Sequence, residues 1–338
     1  MSVTVVSDPS RTAQQLLAAS RDLVETSHRA AVDRLPDPVR HLVGYHIGWW
    51  DQTGRPAGGD GKSVRPALVL ACAAAVGGDP AGAVCEAVAI ELVHDFSLLH
   101  DDIMDGDLTR RHRLAAWSLF GVSEALLAGD MLVTLACDLL AGRPGLKALT
   151  TAVLDLCAGQ SADLAFEHRP EVGVAECLAM AAGKTGALLA AACGLGALAG
   201  GGDARQVDLL TEFGRHLGLA FQLVDDLLGI WGDPAATGKP ARSDLANRKK
   251  SLPVVAALAS GTTQGQHLAW LYQREHDGDP DTLDHLAALI DGAGARAWAQ
   301  AEADRHLDAA LDCLSRAVPQ PATGDLTVLA RLVTSRDR

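Results

Sequence analysis

The sequence predicts an all-α protein built as one domain of many helices. Three observations carry this. Long Ala- and Leu-rich segments repeat their apolar residues at helical spacing. β-branched runs that alternate with polar residues, the mark of half-buried strands, are scarce. Short clusters of Gly, Pro and Asp, such as Gly77-Gly78-Asp79-Pro80 and Gly200-Gly201-Gly202-Asp203, separate the segments.

Helices are expected over 12–34, 62–77, 81–104, 121–141, 146–167, 174–200, 203–231 and 295–316. The second opens on Gly61-Lys62-Ser63-Val64-Arg65-Pro66, and the third ends in a group of acids. The sixth is mostly Ala and Gly with Lys184 inside it, and the seventh ends near Gly232-Asp233-Pro234. No Pro/Ser-rich linker divides the 338 residues, and no repeat of fixed period is visible. The first ten or so residues and residues 322–338 look loosely attached.

Composition narrows the function. Hydrophobic residues make up 48% and aromatics 4%, so the core is built from Leu, Ala and Val. With 29 Lys plus Arg against 42 Asp plus Glu, the net charge is −13. This argues against broad nucleic-acid or anionic-membrane binding, so an anionic substrate needs a local cluster of cations or bound metal. The cysteines, Cys72, Cys85, Cys137, Cys157, Cys177, Cys193 and Cys313, are scattered and odd in number, with no CxxC pair. They speak against a disulfide framework and a structural zinc site. The start, MSVTVVSDPSR, lacks the pattern of a signal peptide. Residues 178–201 are apolar enough to suggest a membrane span, but Lys184 and the weak hydrophobicity of Ala and Gly favour a buried core helix. A cytoplasmic location is expected.

Some motifs are misleading. GDGKS near 60–63 and AGKTG at 182–186 look like phosphate-binding loops, yet Pro56 and Leu178 stand where such a loop needs glycine. Gly194-Leu195-Gly196-Ala197-Leu198-Ala199 fits a loose dinucleotide pattern but has no strand before it.

Two constellations carry chemistry. In HDFSLLHDDIMDGDLTRRHR, residues 94–113, Asp101, Asp102 and Asp105 fall within an arc of about 100° on one helix. Phe96, Leu98 and Leu99 precede them, so the acids end a buried helix. Clustered carboxylates there suit a hard cation such as Mg²⁺, which takes one or two carboxylates plus phosphate oxygens. Arg110, Arg111 and Arg113 follow, as a phosphate clamp would. In residues 221–253, Gln222, Asp225 and Asp226 share a helix face, and a loop with Lys239, Arg242, Asp244, Arg248, Lys249 and Lys250 follows. Lys62 and Arg65 open another helix, whose N-terminus favours anions. Lys184-Thr185 interrupts the Ala-rich helix, where a lysine is costly unless paired or lining a cavity. Two acidic helices with cations around one cavity answer the needs of two diphosphates, one held through Mg²⁺ and one held directly. His94 and His100, six apart, lack a helical metal-ligand spacing, and His100 reads as a local hydrogen-bond partner. Trp49-Trp50 fits either core or lid.

From about Gly61 to Pro253 the chain resembles the trans-isoprenyl diphosphate synthases, or polyprenyl synthetases, in the style of actinobacterial geranylgeranyl diphosphate synthases. The carrying motifs are GKSVRP, ELVHDFSLLHDDIMDGDLTRR, LLAGD, GKTGALL, and FQLVDDLLGIWGDPAATGKPARSDL through KKSLP. The resemblance implies a single-domain antiparallel helix bundle around a deep apolar pocket, a homodimer, and three Mg²⁺ per active site. It implies that Asp101, Asp105 and Asp225 hold Mg²⁺ on the allylic diphosphate, with Asp102 and Asp226 in support. Arg110, Lys184 and Lys239 would touch that diphosphate, and Lys249 would close over it. Lys62, Arg65, His94 and Arg111 would hold isopentenyl diphosphate, and Thr185 and Gln222 would face the reacting carbons. Phe96, five residues before Asp101, would form the pocket floor and set a C20 product, geranylgeranyl diphosphate.

The chain departs from the family pattern in two places. Gly229 replaces the third Asp of the second motif, and Leu114 and Ala115 replace the usual Pro and Thr. A terpene cyclase on the same fold is the main competing reading, but it needs no second-diphosphate cations. A modulatory partner subunit should have lost an Asp motif or the GKT lysine. A helical scaffold without catalysis leaves the buried acids unexplained.

Overall fold

The computed structural model describes residues 11–58, 63–111, 113–233, 242–274 and 278–334. They are almost wholly helical, and the only strands among them are two residues long. The chain divides into two compact units. The first comprises Met1–Thr151, Ala191–Thr211 and Ser315–Leu329; the second comprises Ala152–Ala190, Glu212–Leu314 and Ala330–Arg338.

The opening helices are α1 (Ala13–Val32), α2 (Asp37–Ile47), α3 (Val64–Ala75) and α4 (Val84–Met104). A hairpin of β1 (Thr109–Arg110) and β2 (Arg113–Leu114) leads to α5 (Ala116–Phe120) and α6 (Val122–Leu139). Then come α7 (Leu146–His168), α8 (Val174–Ala181), α9 (Ala187–Ala199) and α10 (Ala204–Trp231). The remainder is α11 (Ser243–Ala246), α12 (Leu252–Leu258), α13 (Thr263–Tyr272), α14 (Pro280–Gly292), α15 (Ala295–Ala317) and α16 (Gly324–Thr334).

Local chemistry explains the boundaries. Thr12 and Gln15 form a capping box at the start of α1, each side chain serving the other's backbone N–H. Asp203 and Gln206 do the same ahead of α10. α2 starts with Pro38 in its first turn and stops at Gly48, whose φ of 97° closes the helix left-handedly.

In the first unit, α4 packs against α3 and α6, and its apolar side chains Val88, Ile90, Leu92, Val93 and Leu99 are almost fully buried. The 191–199 part of α9 approaches α3 backbone to backbone, because a Cβ at Gly196 would lie 2.1 Å from the Val69 carbonyl oxygen. The glycines of the dinucleotide-like pattern are therefore packing residues. Trp49 and Trp50 are also packing residues. Trp50 donates to the His41 carbonyl at 2.8 Å, and Trp49 meets His28 edge-on at 5.1 Å.

In the second unit, Cys177 and Met180 of α8 pack with Leu219, Leu223 and Val224 of α10, Leu252 and Val255 of α12, and Ala299 of α15. Ile230, Leu245, Leu268, Leu286 and Ile290 form a further cluster in the same unit.

The structure corrects one expectation. Residues 322–334 of the expected loose end 322–338 are held in place: Gly324–Thr334 forms α16, Leu326 and Leu329 are fully buried, and Asp325 pairs with Arg11. The sequence hid this because the segment is short and follows Pro319-Gln320-Pro321. The stretch Val174–Ala199 is long and apolar enough by composition to cross a membrane, yet 67% of its apolar window is buried inside the protein. No disulfide joins the cysteines of the described residues.

Candidate active site

In the first unit α4 delivers three carboxylates at its C-terminal end, and they differ in surroundings. Asp102 is 1% exposed, Asp101 is half-buried, and Asp105 is exposed at the helix C-cap. A buried carboxylate must be paired. Arg110 meets Asp102 with Nε donating at 2.7 and 2.8 Å and Nη2 at 2.5 Å. Burial raises the Asp102 carboxyl above the usual range, and Arg110 opposes that. The second Asp of the pair thus orients a cation, while Asp101 and Asp105 stand nearer solvent.

The hairpin explains why three arginines cluster. Arg110 pairs across with Arg113, and Arg111 sits in the turn at φ 50°. A two-residue hairpin turn needs positive φ, and a non-glycine residue held there is strained. Together with Tyr45 and His46, Arg110, Arg111 and Arg113 line a pocket of about 110 Å³, and among the described residues its lining holds no acidic side chain. Arg113 lies over the Tyr45 ring at 4.1 Å, and the Tyr45 hydroxyl donates to the Leu114 carbonyl at 2.8 Å. Leu114 in place of proline therefore still anchors the hairpin through its backbone.

Beside these arginines lies a buried polar group. His46 Nε2 and His28 Nε2 each lie 3.9 Å from an Asp95 oxygen. Burial, then Arg110, Arg111 and Arg113, push His46 down to about 3. Burial, then Arg65, Arg111 and Arg110, hold His94 well below its ordinary value, so both histidines are neutral at pH 7. Burial raises the Glu91 and Asp95 carboxyls, against the pull of Arg65 and Arg111. Arg65, in the first turn of α3, thus shares its electrostatic surroundings with His94 and Arg111. Phe96 is buried and meets the His100 ring edge-on at 4.9 Å. His100 lies 3.1 Å from the Leu126 carbonyl oxygen, the local hydrogen bond expected of it. Lys62 lies outside the described residues.

In the second unit, Lys184 and Thr185 sit on a π turn, Ala182–Gly186, between α8 and α9. Such turns interrupt α-helices and often mark functional positions. Glycines admit it: a Cβ at Gly159 would lie 2.2 Å from the Lys184 nitrogen, and one at Gly218 would lie 2.6 Å from the Gly186 Cα. Lys184 Nζ meets Asp163 at 2.6 Å. Thr185 Oγ1 donates to Gln222 Oε1 at 2.5 Å, Gln222 Nε2 donates to Asp226 Oδ1 at 2.8 Å, and the Leu252 N–H donates to Asp226 Oδ2 at 2.8 Å. Asp226 is 4% exposed and burial pushes it up to about 6, against the pull of Lys249. Asp225 is half-buried. Burial works against the Lys249 ammonium, but the carboxylates of Asp226, Asp244, Asp163 and Asp225 outweigh it and raise its pKa. Lys239 lies outside the described residues.

Within the first unit the structure brings together Arg65, His94, Arg110, Arg111 and Asp102. Within the second it brings together Lys184, Thr185, Gln222, Asp225, Asp226 and Lys249. Sequence reasoning missed His46, Asp95 and Asp163. His46 and Asp163 lie on helices with no motif around them. Asp95 falls inside a motif, between His94 and Phe96, where its position gives no sign of its own.

The donor set suits Mg²⁺. Among the described residues no three His, Cys, Asp or Glu side chains converge as they would around a bare metal ion. Mg²⁺ near phosphate needs only one or two carboxylates and keeps waters. Asp101, Asp105 and Asp225 are the carboxylates left on the solvent side of their more buried neighbours.

A helical protein with such carboxylates and separate cationic anchors belongs to the class that handles prenyl diphosphates. The Polyprenyl synthetase family model matches residues 55–290, and the chain belongs to that family of prenyltransferases. It is 46% identical to a farnesyl diphosphate synthase of Mycobacterium bovis, over 95% of this chain and 92% of that one. It is 44% identical to a geranylgeranyl diphosphate synthase of Mycobacterium tuberculosis, over 97% of this chain and 95% of that one. A crystal structure of a Streptomyces coelicolor polyprenyl synthetase superposes with a TM-score of 0.90 at 47% identity, covering 94% of this chain and 98% of that one. A Corynebacterium glutamicum geranylgeranyl pyrophosphate synthase, solved with isoprenyl diphosphate and magnesium, superposes at 0.80 with 25% identity, covering 97% and 100%.

Proposed function

We propose that the protein joins isopentenyl diphosphate head to tail to an allylic diphosphate (dimethylallyl, geranyl or farnesyl), with Mg²⁺, and that its product is geranylgeranyl diphosphate. The observation that carries condensation is the pocket walled by Arg110, Arg111 and Arg113, whose lining among the described residues holds no acidic side chain. A second diphosphate held directly by cations needs such a pocket; a cyclase does not.

Each group of residues then has a task. Arg65, His94 and Arg111, with Lys62, bind isopentenyl diphosphate. Asp101, Asp105 and Asp225 bind Mg²⁺ and, through it, the allylic diphosphate. Mg²⁺, when bound, neutralises the leaving diphosphate and favours C–O ionisation. Asp102 orients Arg110, and Asp226 orients Gln222 and the Leu252 backbone. Lys184, Lys239 and Lys249 add charge for the same diphosphate, and Thr185 and Gln222 stand by the reacting carbons. Apolar walls exclude water, which would trap the allylic cation. The isopentenyl double bond attacks that cation, and one proton is lost to the released diphosphate.

The relatives divide between farnesyl and geranylgeranyl synthases, so product length rests on Phe96. It is buried on α4, about 7.5 Å along the helix axis from Asp101. The chain acts as a homodimer; Val122, Leu126 and Leu127 of α6 are 44%, 41% and 50% exposed, an apolar face that a second copy would cover.

The test is an end-point assay with Mg²⁺, isopentenyl diphosphate and each allylic diphosphate in turn, the products sized by mass spectrometry. A C20 product requiring both substrates is expected. Hydrocarbon from an allylic diphosphate alone would identify a cyclase, and no turnover with any starter would favour a modulatory subunit. Phe96→Ala should lengthen the product, because it removes bulk from the pocket base; an unchanged length removes Phe96 as the floor.

A further inference from the structure

The arginine pocket stands on a support too small to hold itself. Arg110, Arg111 and Arg113 are carried by a hairpin whose strands are two residues long. A two-stranded ribbon alone is marginal in water. Arg111 keeps a φ of 50°, and such a conformation persists only where its surroundings impose it. Leu114 stands where the family pattern has proline, so no ring fixes φ there at about −65°. Something outside the hairpin must hold it. We propose that Tyr45 is a positioning residue: it clamps the second strand and so sets where Arg111 meets isopentenyl diphosphate. The proposal rests on the diphosphate-handling reading above and adds a residue that lies outside its motifs.

Geometry carries it, because Tyr45 grips the strand through three different groups. Its carbonyl accepts from the Arg113 guanidinium, and its ring centroid lies 4.1 Å from the carbon of that guanidinium. Its hydroxyl donates to the Leu114 carbonyl at 2.8 Å. Two consecutive residues of β2 are thus tied to one residue of α2.

The rest of the hairpin is held separately. Asp102 of α4 grips Arg110 on β1. Beyond the strands, the Ala115 N–H donates to the Leu108 carbonyl at 2.9 Å, and Trp117 Nε1 donates to the Asp107 carbonyl at 2.8 Å. Without Tyr45 the first strand and the base stay tied, while the strand that follows the turn at Arg111 loses its outer hold.

The clamp is itself rigid. Tyr45 is buried in the last turn of α2, next to Leu42 and Val43, which are almost fully buried. Phe120 of α5 meets its ring edge-on at 5.4 Å. The Trp50 ring closes over the same turn, since a Cβ at Gly44 would lie 2.0 Å from it. The Tyr45 hydroxyl is already engaged by Leu114, so Tyr45 acts through the arginines rather than on substrate oxygens. The bland alternative is that Tyr45 only fills the core.

The experiment compares the parent with Tyr45→Phe and Tyr45→Leu. Steady-state rates are measured with Mg²⁺, varying isopentenyl diphosphate and the allylic diphosphate in turn. Hydrogen exchange of residues 108–115 is followed without metal or substrate. Tyr45→Phe keeps the ring and loses the hydroxyl bond, so its KM for isopentenyl diphosphate should rise about 3- to 10-fold. Tyr45→Leu also loses the ring, so its KM should rise about 10- to 100-fold and the segment should exchange faster. With kcat little changed, this is binding lost equally in the ground and transition states. The KM for the allylic diphosphate should stay within about twofold, because Arg110 keeps its hold on Asp102. A rise shared by both substrates, or a lower melting temperature with both KM values unchanged, would make Tyr45 a packing residue and overturn the proposal. Parent-like exchange in Tyr45→Leu would overturn it too. If Tyr45→Leu loses its fold, Tyr45→Phe decides by the same split between substrates. If the parent condenses nothing, the functional reading falls and metal-free binding of inorganic diphosphate decides this one: weaker binding with faster exchange in Tyr45→Phe supports the clamp, and equal binding rejects it.

Discussion

Asp102 and Asp226 show how one residue type divides its labour. Each is the second member of an Asp-Asp pair, each is almost fully buried, and each is taken up by protein donors. The sequence showed acids sharing a helix face but not which would turn inward, because that depends on Arg110 and Leu252 arriving from other elements. The same limit hid His46, whose partners lie on α4 and the hairpin. His46 gives a pH prediction. Its folded pKa is held down to about 3, against 6.5 unfolded. As pH falls below 6.5 the unfolded chain takes up a proton that the folded chain refuses, so stability drops with acid. At pH 5 this amounts to about 2 kcal/mol. Asp95 and Asp226, with raised carboxyls, act in the opposite direction, so the comparison must be between variants. His46→Asn should lose about 2 kcal/mol less than the parent in denaturant unfolding between pH 7 and pH 5. Equal losses would mean that His46 titrates normally in the fold.

At the scale of elements, the eight expected helices match the observed ones within three residues at either end, except that the sixth is broken by a π turn. That agreement follows from the Ala/Leu periodicity and the Gly/Pro/Asp punctuation, which are local signals. The π turn was not legible. It shifts the register by one residue inside a run of Ala and Gly, where neighbouring side chains are too alike for periodicity to change. The hairpin was missed because two-residue strands have no alternation to read. The π turn depends on a close approach to α7, so Gly159→Ala tests it. The added Cβ would lie 2.2 Å from the Lys184 nitrogen and 2.8 Å from the Gly183 carbonyl carbon, both backbone atoms that cannot rotate away. The strain should cost about 1–3 kcal/mol in stability. Because the displaced atoms belong to Lys184, condensation should fall more than stability alone explains, read as a drop in kcat well below the melting temperature. Activity equal to the parent would show that the turn carries no catalytic geometry.

At the scale of the whole molecule, two properties oppose each other in self-association. Every copy carries a net charge of −13, which repels a second copy. Against this stand Val122 and Leu126, one turn apart on α6, with Leu127 beside them, all exposed. Burying apolar area contributes about 25 cal/mol per Å², so a dimer is favoured only if this face meets its own copy closely. Salt distinguishes the two terms. It screens the repulsion over a Debye length of about 8 Å at 0.15 M and leaves apolar burial intact or stronger. The dimer should therefore tighten as salt rises, the opposite of an association made by ion pairs. Light scattering after size exclusion should give twice 35.2 kDa for the parent. Leu127→Glu removes apolar surface and adds a like charge to each copy, so it should give the monomer mass at low salt and partial recovery at high salt. A Leu127→Glu protein that stays dimeric at low salt would place the contact between copies away from α6.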